Sequence, residues 1–356
     1  MREISRSYSF IIISIIFFLG TIYLVLREIE EIEEIEEIER FSGFTMGTSY
    51  EIQFLNRHLA TNLEQISAGV NELLEELDRG VFSTYVNSSE LSRFNSQEVG
   101  EPFIASEHLL RVLLLAQKIA KSTDGAFDVT IGPLINLWGF GSTETIRLDP
   151  IPTEEEIEAQ MQKVGISKLI INQSLTQIRK SADIYVDLSG IAKGYAVDQI
   201  ASLLQSYSIS NYFIEVGGEI KVSGVKAGGV GWVAAIEAPI AESFQIYEVL
   251  NNRTETVALA GSGDYRNFFE IDGVRYSHEI DPRSGKPISH NLAAAFVLNE
   301  SAAVADAYAT ALMVLGLEKS RLLIESTGIK AYIIYRLEDE SFSHYISPGF
   351  KPYLIH

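Results

Sequence analysis

The stretch that decides the fold and the site is Val257–Pro287, which reads VALAGSGDYRNFFEIDGVRYSHEIDPRSGKP. A Gly-Ser-Gly turn precedes two aromatic runs, FFEI and VRYSHEI. The dipeptide Asp272-Gly273 between these runs is a strong signal for a β-hairpin turn. The second run ends on His278 and Asp281, so the pattern predicts an imidazole and a carboxylate at the end of a strand. Side chains that a rigid sheet holds at its edge are common sites of function.

A second pattern lies just downstream, in the segment DAYAT at 306–310. Asp306 and Thr310 are four residues apart, which places a carboxylate and a hydroxyl on one face of a helix. Two hard oxygen ligands one turn apart suit magnesium better than zinc. The histidines form no HExxH or HxxxH zinc pattern, and no GxSxG elbow supports a serine hydrolase.

Composition limits the classes of function that remain. The chain of 356 residues is long enough for one large domain or two ordinary ones, and 46% hydrophobic with 21% charged residues is ordinary for a globular enzyme. A net charge of −20 disfavours binding to nucleic acid, so no nucleic-acid partner is expected. The absence of cysteine excludes disulfides, thiolate metal sites, cysteine nucleophiles and a lipid-modified cysteine.

The N-terminus carries a candidate membrane anchor. Arg2 and Arg6 precede the uncharged run FIIISIIFFLGTIYLVL at 10–26, whose length fits a short spanning helix or a long signal-peptide core. No small-x-small cleavage site follows, which favours an uncleaved signal anchor. Residues 1–9 are then cytoplasmic, and everything after the anchor faces outward.

An acidic low-complexity segment follows the anchor. Residues 27–40 read REIEEIEEIEEIER, with eight Glu against two Arg. Isoleucines spaced by three drift around a helix instead of forming a heptad seam. The segment therefore predicts a solvated spacer, with a partner-binding helix as the alternative. The globular domain is expected over 41–356.

Periodicity predicts an α+β domain in which strands and helices mix without a regular βαβ rhythm, so a doubly wound fold is disfavoured. Helices are predicted at 61–78, 107–122, 153–164, 192–207 and 302–325. Strands are predicted at 45–54, 185–188, 212–216, 230–236, 257–260 and 330–335.

Three polar or aromatic turns in the first half of the chain are candidate parts of a ligand site. Met46-Gly47-Thr48 precedes a predicted strand, and Ser83-Thr84-Tyr85 offers a ring on which a planar ligand can stack. GAFDVTIGPL at 125–134 places large apolar rings beside an aspartate and tight turns, as in a cofactor cleft. Ordinary turns and a surface loop are the alternatives.

The segment DLSGIAKGY at 187–195 follows a predicted strand and opens a predicted helix. Backbone N–H groups there, together with Lys193, suit an anionic phosphate. The segment matches neither the Walker loop nor the dinucleotide-binding spacing. A plain strand–turn–helix junction is the alternative.

Taken together, these motifs resemble one family, the FAD:protein FMN transferases, also called the ApbE family. The matching segments occur in the family's order and cover essentially all of 41–356. They are FTMGT at 44–48, FSTY at 82–85, SELSRFN at 89–95, GAFDVTIGPLINLWGFG at 125–141, DLSGIAKGYAVD at 187–198, NYFIEVGGEI at 211–220, SGDYRNFFEIDGVRYSHEIDPRSGKPI at 262–288 and ADAYATALMVLG at 305–316.

The resemblance implies a magnesium-dependent transfer of FMN from FAD to a threonine hydroxyl of a partner protein, with release of AMP. It implies acceptors among the flavin-bearing subunits of sodium-translocating NADH:quinone reductase and related membrane electron-transfer complexes. Two other functions stay open: hydrolysis of FAD to FMN and AMP, and flavin binding without chemistry. The second is disfavoured because a pure binder needs neither a base nor metal ligands.

The resemblance also assigns residues. His278 corresponds to the base that activates the acceptor hydroxyl, and Asp281 lies near the same centre in a less defined role. Magnesium is assigned to Asp306, Thr310 and the backbone carbonyl of Gly190. The FAD site is assigned to Met46, Tyr85, Ala126, Phe127, Asp128, Asp187, Lys193 and Ile280.

One feature departs from the family. Many relatives are lipoproteins tethered through an N-terminal cysteine, and this chain has no cysteine. The 10–26 helix is therefore expected to tether the enzyme to the bacterial inner membrane, with its catalytic domain in the periplasm.

Overall fold

The computed structural model describes residues 37–56, 62–141, 151–240, 245–265 and 267–355. The predicted anchor at 10–26 and the first ten residues of the predicted spacer lie outside these ranges. Within them, no helix combines the length and apolarity needed to cross a membrane. Residues Ile38–His356 form one compact unit.

A central sheet of eight strands organises the domain, in the order β1-β2-β6-β7-β10-β15-β16-β17. The described pairings from β2 to β17 are antiparallel, which confirms the predicted α+β class. The strand bounds are β1 Glu37–Thr45, β2 Thr48–Asn56, β6 Tyr212–Val216, β7 Glu219–Ser223, β10 Val257–Gly263, β15 Leu292–Asn299, β16 Lys330–Arg336 and β17 Phe342–Ile346.

Four small sheets complete the strands of the described ranges. A three-stranded sheet has the order β3-β5-β4, and the other three sheets each contain two strands. The bounds are β3 Phe103–Ile104, β4 Leu169–Asn172, β5 Gln177–Lys180, β8 Val233–Glu237, β9 Ile246–Asn251, β11 Phe268–Ile271, β12 Val274–Ser277, β13 Ile280–Asp281 and β14 Lys286–Pro287.

The five predicted helices form, and two short helices, at Glu90–Ser96 and Gly132–Leu137, were not predicted. The bounds are α1 Leu63–Glu75, which runs into a π-helix at Glu76–Phe82, α2 Glu90–Ser96, α3 Glu107–Ser122, α4 Gly132–Leu137, α5 Glu154–Met161, α6 Ala192–Ser206 and α7 Ala302–Thr327. Short 3-10 turns occupy Ile166–Lys168, Gln173–Leu175 and Lys351–Tyr353. Helix α5 begins at a capping box formed by Thr153 and Glu156.

One side chain ties α6 to α7 on one face of the sheet. Asp198 of α6 accepts hydrogen bonds from the backbone N–H groups of Ala302 and Ala303, at 3.0 and 3.1 Å, and from the Ser301 hydroxyl at 2.6 Å. A carboxylate at a helix N-terminus satisfies otherwise unpaired donors and complements the helix dipole. The start of α7, which carries Asp306, is thereby fixed against α6.

The opposite face of the sheet is covered by the β8–β9 hairpin and the C-terminal segment. Trp232, Leu250 and Tyr353 pack there against buried side chains of β7, β10 and β15. Both faces of the sheet are therefore buried, and the ends of its strands remain available for a site.

Three elements differ from the prediction. In place of the single strand predicted at 45–54, the structure has a hairpin of β1 and β2 that begins at Glu37. The end of the predicted spacer therefore belongs to β1, where Ile38 packs on the core. The predicted strand at 185–188 is reduced to a single parallel bridge between Tyr185 and Ile131, and the Asn95 side chain takes both backbone hydrogen-bonding groups of Val186. The VRYSHEI run ends as a strand at Ser277, one residue before His278. The Asp272-Gly273 turn is confirmed, with positive φ at both residues.

Candidate active site

Asp306 and Thr310 lie on α7 and share a face, as the spacing predicts. The loop before α6 approaches them so closely that a Cβ at Gly190 would lie 3.1 Å from Thr310 Oγ1 and 3.3 Å from the Phe127 ring. Only a glycine leaves the backbone this close to the hydroxyl without a steric clash. The structure therefore brings together the three residues predicted to bind metal.

Asp306 is held in place by α6. It is 4% exposed, and its Oδ2 accepts a hydrogen bond from the N–H of Gly194 at 3.0 Å. A Cβ at Gly194 would lie 2.4 Å from the carbonyl oxygen of Ala302, so the two helices meet at the glycine. Burial raises the pKa of Asp306, and attraction to Lys193 opposes the rise. The carboxylate of Asp306 is therefore buried where α6 and α7 meet.

Lys193 pairs with a glutamate outside the predicted site. Its Nζ lies 2.7 Å from Glu219 Oε1, and the side chains are 29% and 2% exposed. Burial raises the pKa of Glu219 and attraction to Lys193 lowers it less. For Lys193, burial lowers the pKa, but the surrounding carboxylates, Glu219 first, outweigh burial and raise it. Lys193 is therefore a fixed cation in the first turn of α6.

The Met46 turn lies against the β6–β7 turn, which in turn contacts Lys193. Gly217, just after β6, would carry a Cβ 2.6 Å from Thr48 Cγ2 and 3.1 Å from Lys193 Cδ. Met46 has a φ of 48° and donates its N–H to Asp78 at 3.0 Å, which pins the turn to the π-helix. The β6–β7 turn thus lies against both the β1–β2 turn and the stem of Lys193.

His278 lies in the short connection between β12 and β13. Its Nδ1 is 2.9 Å from the carbonyl oxygen of Asn267, and its ring meets Phe140 edge to face at 6.3 Å. Nε2 lies 3.8 Å from Oε1 of the buried Glu279. Ile280, which follows, is 3% exposed and packs with Trp138 and Leu134. The imidazole is 31% exposed, so it can meet a ligand.

Asp281 is paired with Arg283, two residues further along the chain. Its carboxylate accepts two hydrogen bonds from the Arg283 guanidinium, both at 2.8 Å, and a third from the Arg283 N–H. The hydrogen bond to Asp281 raises the pKa of Arg283. This pairing orders the turn that returns from β13 to β14, and a catalytic role for Asp281 stays a prediction.

Asp128 joins two loops. Oδ1 accepts hydrogen bonds from the backbone and the hydroxyl of Thr130, and Oδ2 accepts from the N–H of Ile166 at 2.7 Å. Burial raises the pKa of Asp128, while those hydrogen bonds lower it by a smaller amount. The neighbouring Ala126 and Phe127 are 1% and 4% exposed, so both are buried, and their assignment to the FAD site stays a prediction.

Two predicted FAD residues lie near the surface. Asp187 closes a turn by accepting from the N–H and hydroxyl of Ser189, at 2.8 and 2.5 Å. Tyr85 is 75% exposed, and its N–H donates to Ser83 Oγ at 3.1 Å. An exposed ring on a hydrogen-bonded loop is available for stacking on a planar ligand.

Sequence reasoning missed Glu219 and Glu279. Both are buried carboxylates, and Lys193 feels their charge together with that of Asp306. A local signal for Glu219 exists in the Gly-Gly-Glu turn, since two glycines before a strand let a carboxylate return toward α6. No cluster of three or more His, Cys, Asp or Glu with metal-binding geometry occurs in the described ranges.

Hard oxygen donors, a partly buried lysine and a partly exposed imidazole at one end of an antiparallel sheet define an α+β domain suited to phosphate-ester chemistry. The profile of the ApbE family matches residues 46–333. The chain belongs to the ApbE family, and the prediction that it is an enzyme of this family is confirmed.

Individual relatives agree with this assignment. The chain is 43% identical over 313 residues to the FAD:protein FMN transferase of Vibrio cholerae, covering 88% of this chain and 92% of the relative. It is 39% identical over 283 residues to that of Escherichia coli K12, covering 79% of each.

Solved structures give the same result. The flavin transferase ApbE from Vibrio cholerae superimposes with a TM-score of 0.81 at 41% identity, over 90% of this chain and all of that one. The apo flavinyl transferase ApbE of Pseudomonas stutzeri also has a TM-score of 0.81, at 34% identity, over 89% and 97%.

Proposed function

We propose that this enzyme transfers FMN from FAD to a threonine hydroxyl of a partner protein and releases AMP, with magnesium bound at the site. The observation that carries the proposal is the convergence of Gly190, Asp306 and Thr310 beside Lys193. The names of the relatives support flavin transfer from FAD to protein.

The reaction is a phosphoryl transfer in which one P–O bond forms and one P–O bond breaks. The acceptor oxygen forms a bond to the phosphorus of the FMN half. The bond from that phosphorus to the bridging oxygen breaks, and AMP leaves with the electron pair. The acceptor proton passes to the imidazole of His278 and then to solvent. A threonine hydroxyl is a weak nucleophile, and a positioned base contributes roughly 10²–10⁴-fold.

Each residue has a physical role in that step. Lys193 supplies a fixed positive charge toward the pyrophosphate, and Glu219 prevents it from turning away. Asp306, Thr310 and the carbonyl of Gly190 would hold magnesium, which when bound offsets charge on the phosphate oxygens. The exposed ring of Tyr85 offers a stacking surface for a flavin or adenine ring.

The proposed location rests on the N-terminal sequence, and the proposed partners rest on the resemblance to the family. We place the enzyme at the bacterial inner membrane through the 10–26 segment, with its domain in the periplasm. An anchored enzyme meets membrane-bound acceptors at high local concentration. The acceptor subunits of membrane electron-transfer complexes, such as those resembling sodium-translocating NADH:quinone reductase, are therefore its proposed substrates in flavoprotein maturation.

The test uses the full chain in detergent with FAD, magnesium and a purified acceptor subunit. We expect the acceptor to fluoresce as a covalent flavoprotein on a denaturing gel. Fluorescence that migrates only as free FMN would instead establish FAD hydrolysis. No product of either kind, with FAD still bound, would establish a flavin-binding protein without chemistry.

A variant of Asp306 tests the proposed metal site separately. Asp306→Asn keeps an oxygen acceptor for the N–H of Gly194 but removes the charge, so we expect transfer to be lost while FAD binding weakens far less. Glu325→Ala, an exposed position on the same helix, is the control. Full transfer by Asp306→Asn in the presence of EDTA would rule out the proposed metal site.

A further inference from the structure

The backbone selects the tautomer of His278. Its Nδ1 lies 2.9 Å from the carbonyl oxygen of Asn267, and a carbonyl oxygen only accepts hydrogen bonds, so Nδ1 carries the hydrogen. The same carbonyl accepts the backbone N–H of His278 at 3.1 Å. In the neutral ring the lone pair is therefore on Nε2. Nε2 is the atom that can take a proton.

Glu279 faces that atom. Its Oε1 lies 3.8 Å from Nε2, and the residue is 7% exposed. The hydroxyl of Ser262, at the end of β10, donates to the same oxygen at 2.5 Å. The backbone N–H of Glu279 donates to Ser277 Oγ at 3.1 Å, which fixes the residue from its other end. Among the residues that the structure describes, Glu279 is the carboxylate within 4.0 Å of a His278 ring nitrogen.

The contact has opposite character in the two protonation states of the ring. A neutral Nε2 and a carboxylate oxygen are both acceptors, so no hydrogen bond joins them and the lone pair remains available to a substrate. Once Nε2 has taken a proton, the ring is a cation beside a buried carboxylate, and the interaction becomes attractive. An interaction that appears only as the reaction proceeds raises kcat and leaves ground-state binding alone.

We propose that Glu279 is a positioning residue that accelerates transfer by stabilising the imidazolium that His278 becomes. The inference rests on the proposed function, because it assigns the proton of the acceptor hydroxyl to Nε2. That proton moves from the hydroxyl to Nε2 while the acceptor oxygen bonds to phosphorus and AMP departs. Glu279 keeps its charge throughout, and Ser262 holds its Oε1 in place.

The test separates charge from shape. Glu279→Gln keeps the side-chain volume and an acceptor for Ser262, whereas Glu279→Asp keeps the charge on a shorter stem. Glu270→Gln on the exposed face of β11 changes the net charge equally without contacting His278, and it serves as the control. Each full-length variant is assayed in detergent with FAD, magnesium and the acceptor subunit, and its thermal midpoint is recorded.

We expect Glu279→Gln to lower kcat about 10- to 100-fold, part of what a general base contributes, with KM for FAD within about twofold of wild type. Glu279→Asp should recover a large share of that loss, and Glu270→Gln should match wild type. The recovery by Asp is the decisive readout, because a merely structural role would make the shorter side chain as harmful as Gln.

Two results would overturn the inference. One is a kcat for Glu279→Gln that equals that of Glu270→Gln. The other is an equal fall in Gln and Asp variants. If Glu279→Gln does not fold, the comparison of Glu279→Asp with Ser262→Ala decides: the inference requires kcat to fall in Ser262→Ala with KM unchanged. Failure of wild-type enzyme to label the acceptor would refute the proposed function instead, so the two failures are distinct.

Discussion

The Lys193–Glu219 pair lends itself to a quantitative test. Replacing Lys193 with Met removes the ammonium and leaves the carboxylate of Glu219, which is 1% exposed, without its partner at 2.7 Å. The Oε2 atom of Glu219 already has no hydrogen-bond partner within the described residues. The variant therefore buries an uncompensated charge, one of the most destabilising changes available in a protein core.

The expected magnitude follows from the distance. At 2.7 Å and an effective dielectric constant of about 20, the direct attraction is about 6 kcal/mol, before the desolvation of both ions is subtracted. Breaking such a buried pair typically costs about 3–5 kcal/mol. The double variant Lys193→Met/Glu219→Gln removes both charges, so we expect it to lie within about 1–2 kcal/mol of wild type.

Guanidinium unfolding of the full chain in detergent, followed by the fluorescence of Trp138 and Trp232, measures these differences. The pH dependence adds a check of sign. Burial raises the pKa of Glu219, so the folded state binds that proton more tightly than the unfolded state, and stability falls as pH rises above about 4.5. Lys193→Met should extend this fall to higher pH, because loss of the ammonium raises the pKa of Glu219 further, and the double variant should remove the contribution of this carboxyl.

A loss below about 1 kcal/mol in Lys193→Met would refute the reasoning, because it would mean that Glu219 does not depend on the lysine. A double variant no more stable than Lys193→Met would refute it equally, since the cost would then come from lost packing of the lysine stem. The double variant is also expected to bind FAD weakly, because the fixed cation that meets the pyrophosphate is gone.

Two further predictions concern residues that contact α7, Gly190 and His290. Gly190→Ala places a methyl group 3.1 Å from Thr310 Oγ1, so we expect the magnesium concentration for half-maximal transfer to rise about tenfold or more. Gly80→Ala, with no neighbour closer than 3.9 Å, is the control, and an unchanged magnesium requirement would contradict the prediction. Burial lowers the pKa of His290, so the unfolded state takes up that proton first and stability is lost as pH falls below about 6.5. Thermal midpoints at about pH 7.5 and about pH 5.5 should differ less in His290→Gln than in wild type, and an equal difference would exclude this residue as the cause.

The sequence predicted elements best where one local pattern suffices. Long amphipathic runs set the bounds of α3 and α6 to within a residue, and Asp272-Gly273 specified the β11–β12 turn by its need for positive φ. The predicted strand at 185–188 is limited to one bridge from Tyr185 to Ile131, and the backbone of Val186 bonds instead to the side chain of Asn95, ninety-one residues away along the chain. No local window contains that information.

The candidate site divides in the same way. Asp306 and Thr310 could be paired from spacing alone because a helix turn brings residues four apart together. Glu219 could not, since its place beside Lys193 depends on the β6–β7 hairpin, which returns the chain across the sheet toward α6. Glu279 was not identified from the sequence for another reason. In the pattern His-Glu-Ile-Asp, the aspartate looks like the functional carboxylate. In the structure Asp281 is occupied by Arg283, while Glu279 faces the imidazole.

The glycines around α6 explain why these groups converge at all. Sequence reasoning assigned the glycines of 187–195 to a phosphate-facing turn. In the structure Gly190 lets the loop touch Thr310, and Gly194 lets α6 touch the Ala302 carbonyl of α7. Any Cβ at Gly194 would push α7 away and carry Asp306 with it, which would break the hydrogen bond from the Gly194 N–H. Close helix approach and phosphate binding thus use the same glycines: the backbone that α7 contacts on one side is the backbone that faces the pyrophosphate in the proposed reaction on the other.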